Sequence, residues 1–356
     1  MKNVINRALV AKKKQFTLFV ALLIAVGAMA QNRLGENPLS GYQSQKNINY
    51  VGDGHQGHLM DIYYPNDNST THPVIIHIYG SAWSNNNFKQ YADLSTVGVA
   101  ALEAGYIFVT PNHRAYTDAL FPAQLHDIKA LVRYLRGNAQ SLGLDASFIV
   151  VSGFSSGGHL AALMGVTNDL NSYTVGSETI DVEGSIGNYG NQSSSVDAVC
   201  AWTGLIEMRG LDGCEVNSSI SPFMVNLVGR DYSDCPDRWA LASPATYVSA
   251  NAVPTVLFHG SDDALNPTCI SQNFYNNLTN AGVDCELFLH NGNHSVNADY
   301  TDDMITFCNR IKAAKQTEDL QLLPLDNNAP NKLIHDGQLL IQHNGSIYNA
   351  LGTLVR

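Results

Sequence analysis

Charged residues are scarce in this sequence of 356 residues: they make up 14% of it, whereas hydrophobic residues make up 45%. No internal repeat and no low-complexity tract occurs, and this composition excludes a disordered chain, a collagen repeat and a coiled coil. Basic residues are fewer than acidic ones, with 20 Lys and Arg against 31 Asp and Glu, and the formal net charge is −11. We therefore expect neither nucleic acid nor an anionic membrane surface as a partner.

The motifs of common cofactor and metal sites are also missing. The sequence contains no GxGxxG motif and no P-loop, which argues against a nucleotide site. Its histidine pairs, such as His290 with His294, come without an HExxH pattern or a third ligand at zinc spacing. We expect neither a metal ion nor a cofactor.

Acidic residues are absent from the first 30 residues, which hold five basic ones. Three consecutive lysines end at Lys14, an apolar run follows at 16–26, and Ala28-Met29-Ala30 comes next. This order is typical of a signal peptide, and the alternative is a membrane anchor. We expect residues 1–30 to be removed near Ala30, which leaves an exported protein (periplasmic, cell-surface or secreted) without a membrane span.

Cysteine is missing from the first half of the chain, and no CxxC motif occurs. The six cysteines are Cys200, Cys214, Cys235, Cys269, Cys285 and Cys308. In an oxidising compartment they allow up to three disulfides, and buried free thiols are the alternative. Loop-like surroundings favour a bridge between Cys214 and Cys235.

Short apolar strands alternate with helical segments along most of the chain. The predicted strands lie at 74–79, 106–110, 148–152, 198–202, 256–259 and 287–290, and the helices at 88–104, 122–140, 157–166, 268–281 and 299–315. This alternation predicts an α/β fold with a mainly parallel central sheet and helices on both faces. Residues 58–63 are expected to form an antiparallel edge strand. Residues 168–195 are expected to be a long excursion from the fold, and 204–238 an irregular insertion.

The chain changes character after residue 315. Residues 316–332 have the composition of a linker, and the segments 339–341 and 347–348 flank Asn344-Gly345, a signal for a tight β-turn. We therefore expect one domain over 31–315, followed at 316–356 by a linker and a short C-terminal β-hairpin tail.

A nucleophile motif stands between a predicted strand and a predicted helix. Gly153-Phe154-Ser155-Ser156-Gly157 fits GxSxG, and its placement is that of a nucleophile elbow, which exposes the hydroxyl of Ser155. A serine needs a base and a group that orients this base, and in this fold the chain order is serine, acid, histidine. The acid is Asp262 or Asp263, because both follow a predicted strand.

The base is expected in the loop after the last strand of the sheet. His294 lies there, whereas His290 stands at the end of the strand and is more suited to packing. The oxyanion needs backbone donors, one of which is expected to be the N–H of Ser156. The second donor is expected from residues 79–83, whose small residues let the chain turn its N–H groups inward.

Taken together, these motifs resemble those of α/β-hydrolases of the bacterial feruloyl/acetyl esterase type, near the hormone-sensitive-lipase and kynurenine-formamidase groups. The resemblance covers about residues 47–315. The matching segments are Tyr79-Gly80-Ser81-Ala82-Trp83 at the place of His-Gly-Gly-x-Trp, Asn112-His113-Arg114, Phe121-Pro122-Ala123 with Asp127, the elbow, residues 242–248, and His259-Gly260 with Asp263. Two positions depart from the pattern, where Tyr79 replaces a histidine and Ser81 a glycine.

The resemblance implies that Asp263 is the acid and that the second oxyanion donor is Ser81, joined by Ala82. It leaves two roles open for Trp83, which either lines the acyl pocket and binds substrate or packs in the core. The predicted protein is an exported serine carboxylesterase that forms an acyl-enzyme on a Ser155-His294-Asp263 triad. Its substrates are expected to be small-molecule or polysaccharide-linked esters, such as acetyl or feruloyl esters of carbohydrates.

The sequence leaves two alternatives open. One is an amide hydrolase with the same triad, either a serine peptidase or an arylformamidase-like enzyme. The other is a catalytically inactive binding protein that keeps the hydrolase fold, and the changes at Tyr79 and Ser81 are the features that favour it. The sequence does not specify the oligomeric state.

Overall fold

The computed structural model describes residues 37–211, 213–322, 331–335, 338–343, 345–349 and 352–355. The predicted signal peptide, residues 1–30, lies outside the described residues. The chain divides into two compact units, with the boundary between Ile305 and Thr306. Among the described residues, no helix combines the length and the apolar character that crossing a bilayer would require.

Thirteen strands and eight α-helices are found in the described residues. The strands are β1 (Ser44–Asn49), β2 (Leu59–Tyr63), β3 (His72–Ile78), β4 (Ile107–Pro111), β5 (Leu144–Phe154), β6 (Ser172–Val175), β7 (Glu178–Asp181), β8 (Ala198–Trp202), β9 (Thr255–Gly260), β10 (Cys285–His290), β11 (Asn331–His335), β12 (Gln338–His343) and β13 (Ser346–Asn349). The α-helices are α1 (Val99–Glu103), α2 (Ala123–Gly137), α3 (Ala139–Leu142), α4 (Ser156–Val166), α5 (Ser221–Val228), α6 (Pro236–Leu241), α7 (Thr268–Asn280) and α8 (Thr301–Leu322). Short 3₁₀ turns cover Gln56–His58, Lys89–Tyr91, Pro244–Tyr247 and Ala298–Tyr300, and a π-helical turn covers Leu94–Gly98.

An eight-stranded sheet in the order β1-β2-β4-β3-β5-β8-β9-β10 forms the centre of the first unit. The strands from β4 to β10 along this order run parallel, while β1 and β2 are antiparallel to their neighbours. Every residue of β3, β4 and β8 is buried, so both faces of the sheet are covered. The predicted α/β fold with a mainly parallel central sheet is confirmed.

Three local predictions were wrong. β2 is not an edge strand, because β1 pairs with it in antiparallel orientation on the side away from β4. The helix predicted over 88–104 is broken, since Asp93 adopts a left-handed backbone with φ of 50° and the α-helical part begins only at Val99. The two insertions are also more regular than expected, because they contain the hairpin β6–β7, the helix α5 and the start of α6.

The second unit contains a small antiparallel sheet in the order β11-β12-β13. The predicted C-terminal hairpin is confirmed as β12 and β13, in which Ile341 pairs with Tyr348. The strand β11 was not predicted, and α8 extends to Leu322 rather than ending at Lys315. Residues 316–322 and 331–332 of the predicted linker therefore belong to α8 and β11.

The predicted bridge between Cys214 and Cys235 is wrong, because Cys214 pairs with Cys269 across 55 residues of chain. The Cα atoms of the two paired residues are 5.8 Å apart, which suits a disulfide. Cys235 is buried, and its thiol lies 3.5 Å from the carbonyl oxygen of Asp231. The bridge joins the second insertion to the first turn of α7.

We expect the double variant C214A/C269A to lower the free energy of unfolding by about 2–4 kcal/mol, because the bridge restricts the unfolded chain. Chemical denaturation of oxidised protein would measure this change. Cys235→Ala is the matched control, and we expect it to cost about 1 kcal/mol or less, as removal of one buried atom does. A loss for Cys235→Ala equal to that of the double variant would contradict the observed pairing.

Candidate active site

Loops from three strands of the central sheet meet at its carboxyl edge. Ser155 directly follows β5, Asp263 follows β9 and His294 follows β10. Because β5, β8, β9 and β10 are successive parallel neighbours, these loops emerge on the same side of the sheet. This edge is where open α/β sheets bind their ligands.

The turn between β5 and α4 holds Ser155 in a strained backbone conformation. Its φ is 55° and its ψ is −117°, a region that residues with a side chain rarely occupy. The N–H of Ser155 donates to the carbonyl oxygen of Trp202, and the N–H of His159 donates to the carbonyl oxygen of Ser155, both at 2.9 Å. These two hydrogen bonds hold the turn that a nucleophile elbow requires.

Glycine is required on both sides of this serine. A Cβ at Gly157 would lie 2.0 Å from the carbonyl oxygen of Ile78, and a Cβ at Gly153 would lie 2.2 Å from the carbonyl oxygen of Gly157. Such distances exclude any side chain, so the GxSxG pattern follows from the close approach of strand and helix.

The structure brings Ser155, His294 and Asp263 into one chain of hydrogen bonds. The Oγ of Ser155 lies 2.8 Å from Nε2 of His294, and Nδ1 of His294 lies 2.7 Å from Oδ2 of Asp263. Since a carboxylate only accepts, Nδ1 carries the proton and Nε2 is left free to accept the hydroxyl proton of Ser155. The arrangement therefore suits general-base activation of the serine.

The carboxyl group of Asp263 has no exposed surface, and donors surround it. Its Oδ1 accepts from the N–H groups of Leu265 and Asn266, both at 2.9 Å. Burial by itself raises the pKa of Asp263, but the hydrogen bonds from His259, His294 and Asn266 lower it more, and the resulting pKa is well below the ordinary value. The group therefore stays ionised at neutral pH.

The competing candidates for acid and base lie elsewhere. Asp262 is exposed, and its N–H donates to the carbonyl oxygen of Gly292. His290 is buried at the end of β10, where its Nδ1 lies 3.4 Å from the amide nitrogen of Asn297. The geometry therefore groups Asp263 and His294 with Ser155.

The loop after β3 contains the expected oxyanion donors. Ala82 and Trp83 both adopt a left-handed backbone, with φ of 49° and 55°. The N–H of Ser81 donates to the Oγ of Ser156 at 2.9 Å, so the side chain of Ser156 ties this loop to the elbow. Among the described residues, no hydrogen bond from the N–H of Ala82 is found, and the N–H of Ser156 stands at the start of α4, where the helix supplies no acceptor.

The two aromatic residues of this loop are buried. Trp83 is 1% exposed, and its indole N–H donates to Nδ1 of His159 at 3.2 Å, which favours the packing role over substrate contact. Tyr79 stacks on His113 with ring centroids 4.9 Å apart, and its hydroxyl donates to the carbonyl oxygen of Asn85. Tyr79 therefore fills the position of the family's histidine with a packed, hydrogen-bonded side chain.

The Arg114–Asp127 pair of the matching segments forms a separate polar cluster. Arg114 donates to the fully buried carboxylate of Asp127, with Nη2 and Oδ1 2.6 Å apart, and His58 contacts the same oxygen at 3.2 Å.

Within the described part of the chain, no group of three or more His, Cys, Asp and Glu side chains is arranged to hold a metal ion.

Sequence reasoning missed two residues that surround the acid. His259 approaches the Asp263 carboxylate to 3.3 Å, and Asn266 donates its backbone N–H to it at 2.9 Å. The signal in the sequence is the four-residue spacing of His259 and Asp263 within the matching motif.

Known proteins that resemble this chain include esterases. The BD-FAE family model matches residues 60–278, which run from β2 into α7 and include Ser155 and Asp263. A truncated carbohydrate esterase from gut microbiota is 37% identical, with a TM-score of 0.73 over 78% of this chain and 99% of that one. A bifunctional GH43-CE of Bacteroides eggerthii is 39% identical, with a TM-score of 0.72 over 75% of this chain and 35% of that one.

Similarity extends to longer proteins. Esterase LipQ of Mycobacterium tuberculosis is 28% identical over 245 residues, which are 68% of this chain and 54% of that protein. The chain spans about half the length of the curated relatives it matches. The resemblance to α/β-hydrolase esterases drawn from the motifs is confirmed. The family model matches more than half of the chain, and a solved carbohydrate esterase aligns with 78% of the chain over 99% of the esterase's own length. The protein therefore belongs to the BD-FAE family.

Proposed function

We propose that this protein hydrolyses carboxylic esters, with Ser155 as nucleophile, His294 as general base and acid, and Asp263 as the group that orients His294. The observation that carries the proposal is the position of His294, which lies 2.8 Å from the Oγ of Ser155 and 2.7 Å from Oδ2 of Asp263. The side chain of His294 is 16% exposed, so the base is reachable from solvent while the acid is not.

The reaction proceeds through an acyl-enzyme. Ser155 Oγ attacks the ester carbonyl while its proton passes to Nε2 of His294, and a tetrahedral intermediate forms. The carbon–oxygen bond to the alcohol then breaks, and His294 gives its proton to the leaving oxygen. A water molecule then attacks the acyl carbon while its proton passes to Nε2 of His294. The bond between the acyl carbon and Ser155 Oγ breaks, His294 returns the proton to Oγ, and the acid is released. Asp263 stabilises the imidazolium in both steps.

The oxyanion of both intermediates is stabilised by the N–H groups of Ala82 and Ser156. Ser81, the donor implied by the family pattern, directs its N–H to Ser156 Oγ. In this proposal Ser81 holds the loop against the elbow, and it reaches the oxyanion only if that hydrogen bond opens. The donors are backbone groups, so the replacement of glycine by Ser81 is compatible with activity.

Acyl esters of carbohydrates, acetyl or feruloyl, are the substrates that we propose. Two solved relatives at 37% and 39% identity support the carbohydrate part, since one is a carbohydrate esterase and the other a bifunctional GH43-CE. Export to an oxidising compartment is also part of the proposal. The disulfide between Cys214 and Cys269 supports it, because such bridges persist outside the cytoplasm.

A substrate panel tests this proposal. We expect the protein to release acetate from acetylated xylan or ferulate from feruloylated arabinoxylan, and to cleave p-nitrophenyl acetate. Peptides and aryl formamides are the amide substrates for comparison, and the Ser155→Ala variant, referred to as the blank, gives the background rate. Faster turnover of an amide than of every ester would identify the amide hydrolase. Wild-type turnover no higher than that of the blank on all substrates would support the inactive binding protein.

A further inference from the structure

A second histidine contacts the carboxylate that holds His294. Nε2 of His259 lies 3.3 Å from Oδ2 of Asp263, the same oxygen that accepts from Nδ1 of His294. The side chains of His259 and Asp263 have no exposed surface. Two imidazoles therefore share one carboxylate oxygen, and neither that carboxylate nor the ring of His259 is reached by solvent.

The partners of His259 fix its tautomer. Nε2 also lies 2.8 Å from the carbonyl oxygen of Asn266, and since this oxygen only accepts, Nε2 carries a proton. Nδ1 lies 2.7 Å from the hydroxyl of Ser271, which can donate to it. The N–H of His259 is therefore directed at Asn266, and its nitrogen lies 3.3 Å from the carboxylate of Asp263, close enough to attract the negative charge.

The same imidazole closes the turn that carries the acid. Asp263 Oδ1 accepts from the N–H groups of Leu265 and Asn266, and the carbonyl oxygen of Asn266 turns back to His259. The side-chain amide of Asn266 donates to the carbonyl oxygens of Thr203 and Gly204, at 3.1 and 2.7 Å. The position of the carboxylate therefore depends on a hydrogen-bonded turn with His259 at its centre.

We propose that His259 is a positioning residue of the esterase reaction, which holds the Asp263 carboxylate in the orientation that His294 requires. The inference rests on the proposed function. His259 does not contact the nucleophile, and it acts through Asp263 alone. Loss of its N–H frees the carboxylate to rotate and the turn at Asn266 to open, so the imidazole of His294 loses its fixed orientation.

Two substitutions distinguish the contributions of the two ring nitrogens of His259. The side-chain amide of a glutamine reaches about as far as Nε2, whereas the shorter amide of an asparagine occupies the place of Nδ1. We expect His259→Asn to lower kcat for p-nitrophenyl acetate by about 10- to 100-fold, as loss of support for a catalytic group does. We expect His259→Gln to retain kcat within about fivefold of wild type, and KM to change less than about twofold in both variants.

His77 provides the matched control. It is equally buried, with Nδ1 2.9 Å from the hydroxyl of Ser152 and Nε2 3.2 Å from Asp93, and it touches none of the three proposed catalytic residues. We expect His77→Asn to leave kcat unchanged, although thermal unfolding shows a loss of stability comparable to that of His259→Asn. This control separates a general loss of packing from an effect on the site.

Equal kcat losses in His259→Asn and His259→Gln, or a kcat of His259→Asn close to the wild-type value, would overturn the inference while ester hydrolysis by the wild type stands. A kcat loss in His77→Asn as large as in His259→Asn would overturn it too. Absence of ester hydrolysis in the wild-type protein would instead overturn the proposed function, and the inference with it.

Discussion

Replacement of Ser155 by alanine is expected to lower kcat for p-nitrophenyl acetate by about 10⁴- to 10⁶-fold, the range seen when a triad serine is removed. The reason is geometric, because the hydroxyl lies 2.8 Å from Nε2 of His294 and the elbow exposes it at the carboxyl edge of the sheet. Steady-state kinetics with active protein at high concentration would measure the residual rate.

The same variant has a clear structural control. Alanine keeps the Cβ of Ser155, so the strained φ of 55° and its cost remain, and the two backbone hydrogen bonds of the turn are unaffected. We therefore expect an unchanged circular dichroism spectrum and a change in unfolding free energy within about 1 kcal/mol. A folded Ser155→Ala variant with kcat within about tenfold of wild type would contradict the assignment of the nucleophile.

Replacement of Asp263 by asparagine is expected to lower kcat by about 10⁴-fold. An amide at this position can donate its N–H to Nδ1 of His294, which moves the imidazole proton to Nε2 and blocks acceptance of the serine proton. The change also removes the negative charge that stabilises the imidazolium. KM is expected to change little, because Asp263 is buried and has no exposed surface for substrate.

The same substitution at the neighbouring residue, Asp262→Asn, is the control for this prediction. Asp262 is exposed, whereas Asp263 lies 2.7 Å from His294, so Asp262→Asn is expected to leave kcat within about twofold of wild type. A large loss in Asp262→Asn with an active Asp263→Asn would reverse the assignment of the acid. Kinetics of both variants, prepared side by side, would decide between the two carboxylates.

Much of the site could be predicted because its chemistry depends on local sequence. The elbow requires glycines where strand and helix approach, and these glycines mark Ser155 in the sequence. His294 could be predicted from chain order, since loops after neighbouring parallel strands meet at one edge. The residues alone do not distinguish Asp262 from Asp263 as the acid of the triad, because both follow the same strand. The family motif favours Asp263.

The features that sequence reasoning missed depend on contacts between distant segments. The partner of Cys214 is Cys269 because the second insertion folds back onto α7, and no local pattern reports this. Similarly, the hydrogen bond from Ser81 to Ser156 joins the loop after β3 to the first residue of α4, 75 residues further along the chain. The left-handed backbone of Asp93, which breaks the helix predicted over 88–104, is equally invisible in helical periodicity.

Labelling with a fluorophosphonate, followed by peptide mapping, tests the central claim most directly. This reagent reacts with a serine that a neighbouring base activates, so its target reports the nucleophile and not only its surroundings. We expect one adduct on the wild-type protein, located on Ser155, no adduct on Ser155→Ala, and much slower labelling of Asp263→Asn. An adduct on another residue, or none on the folded wild-type protein, would contradict the claim.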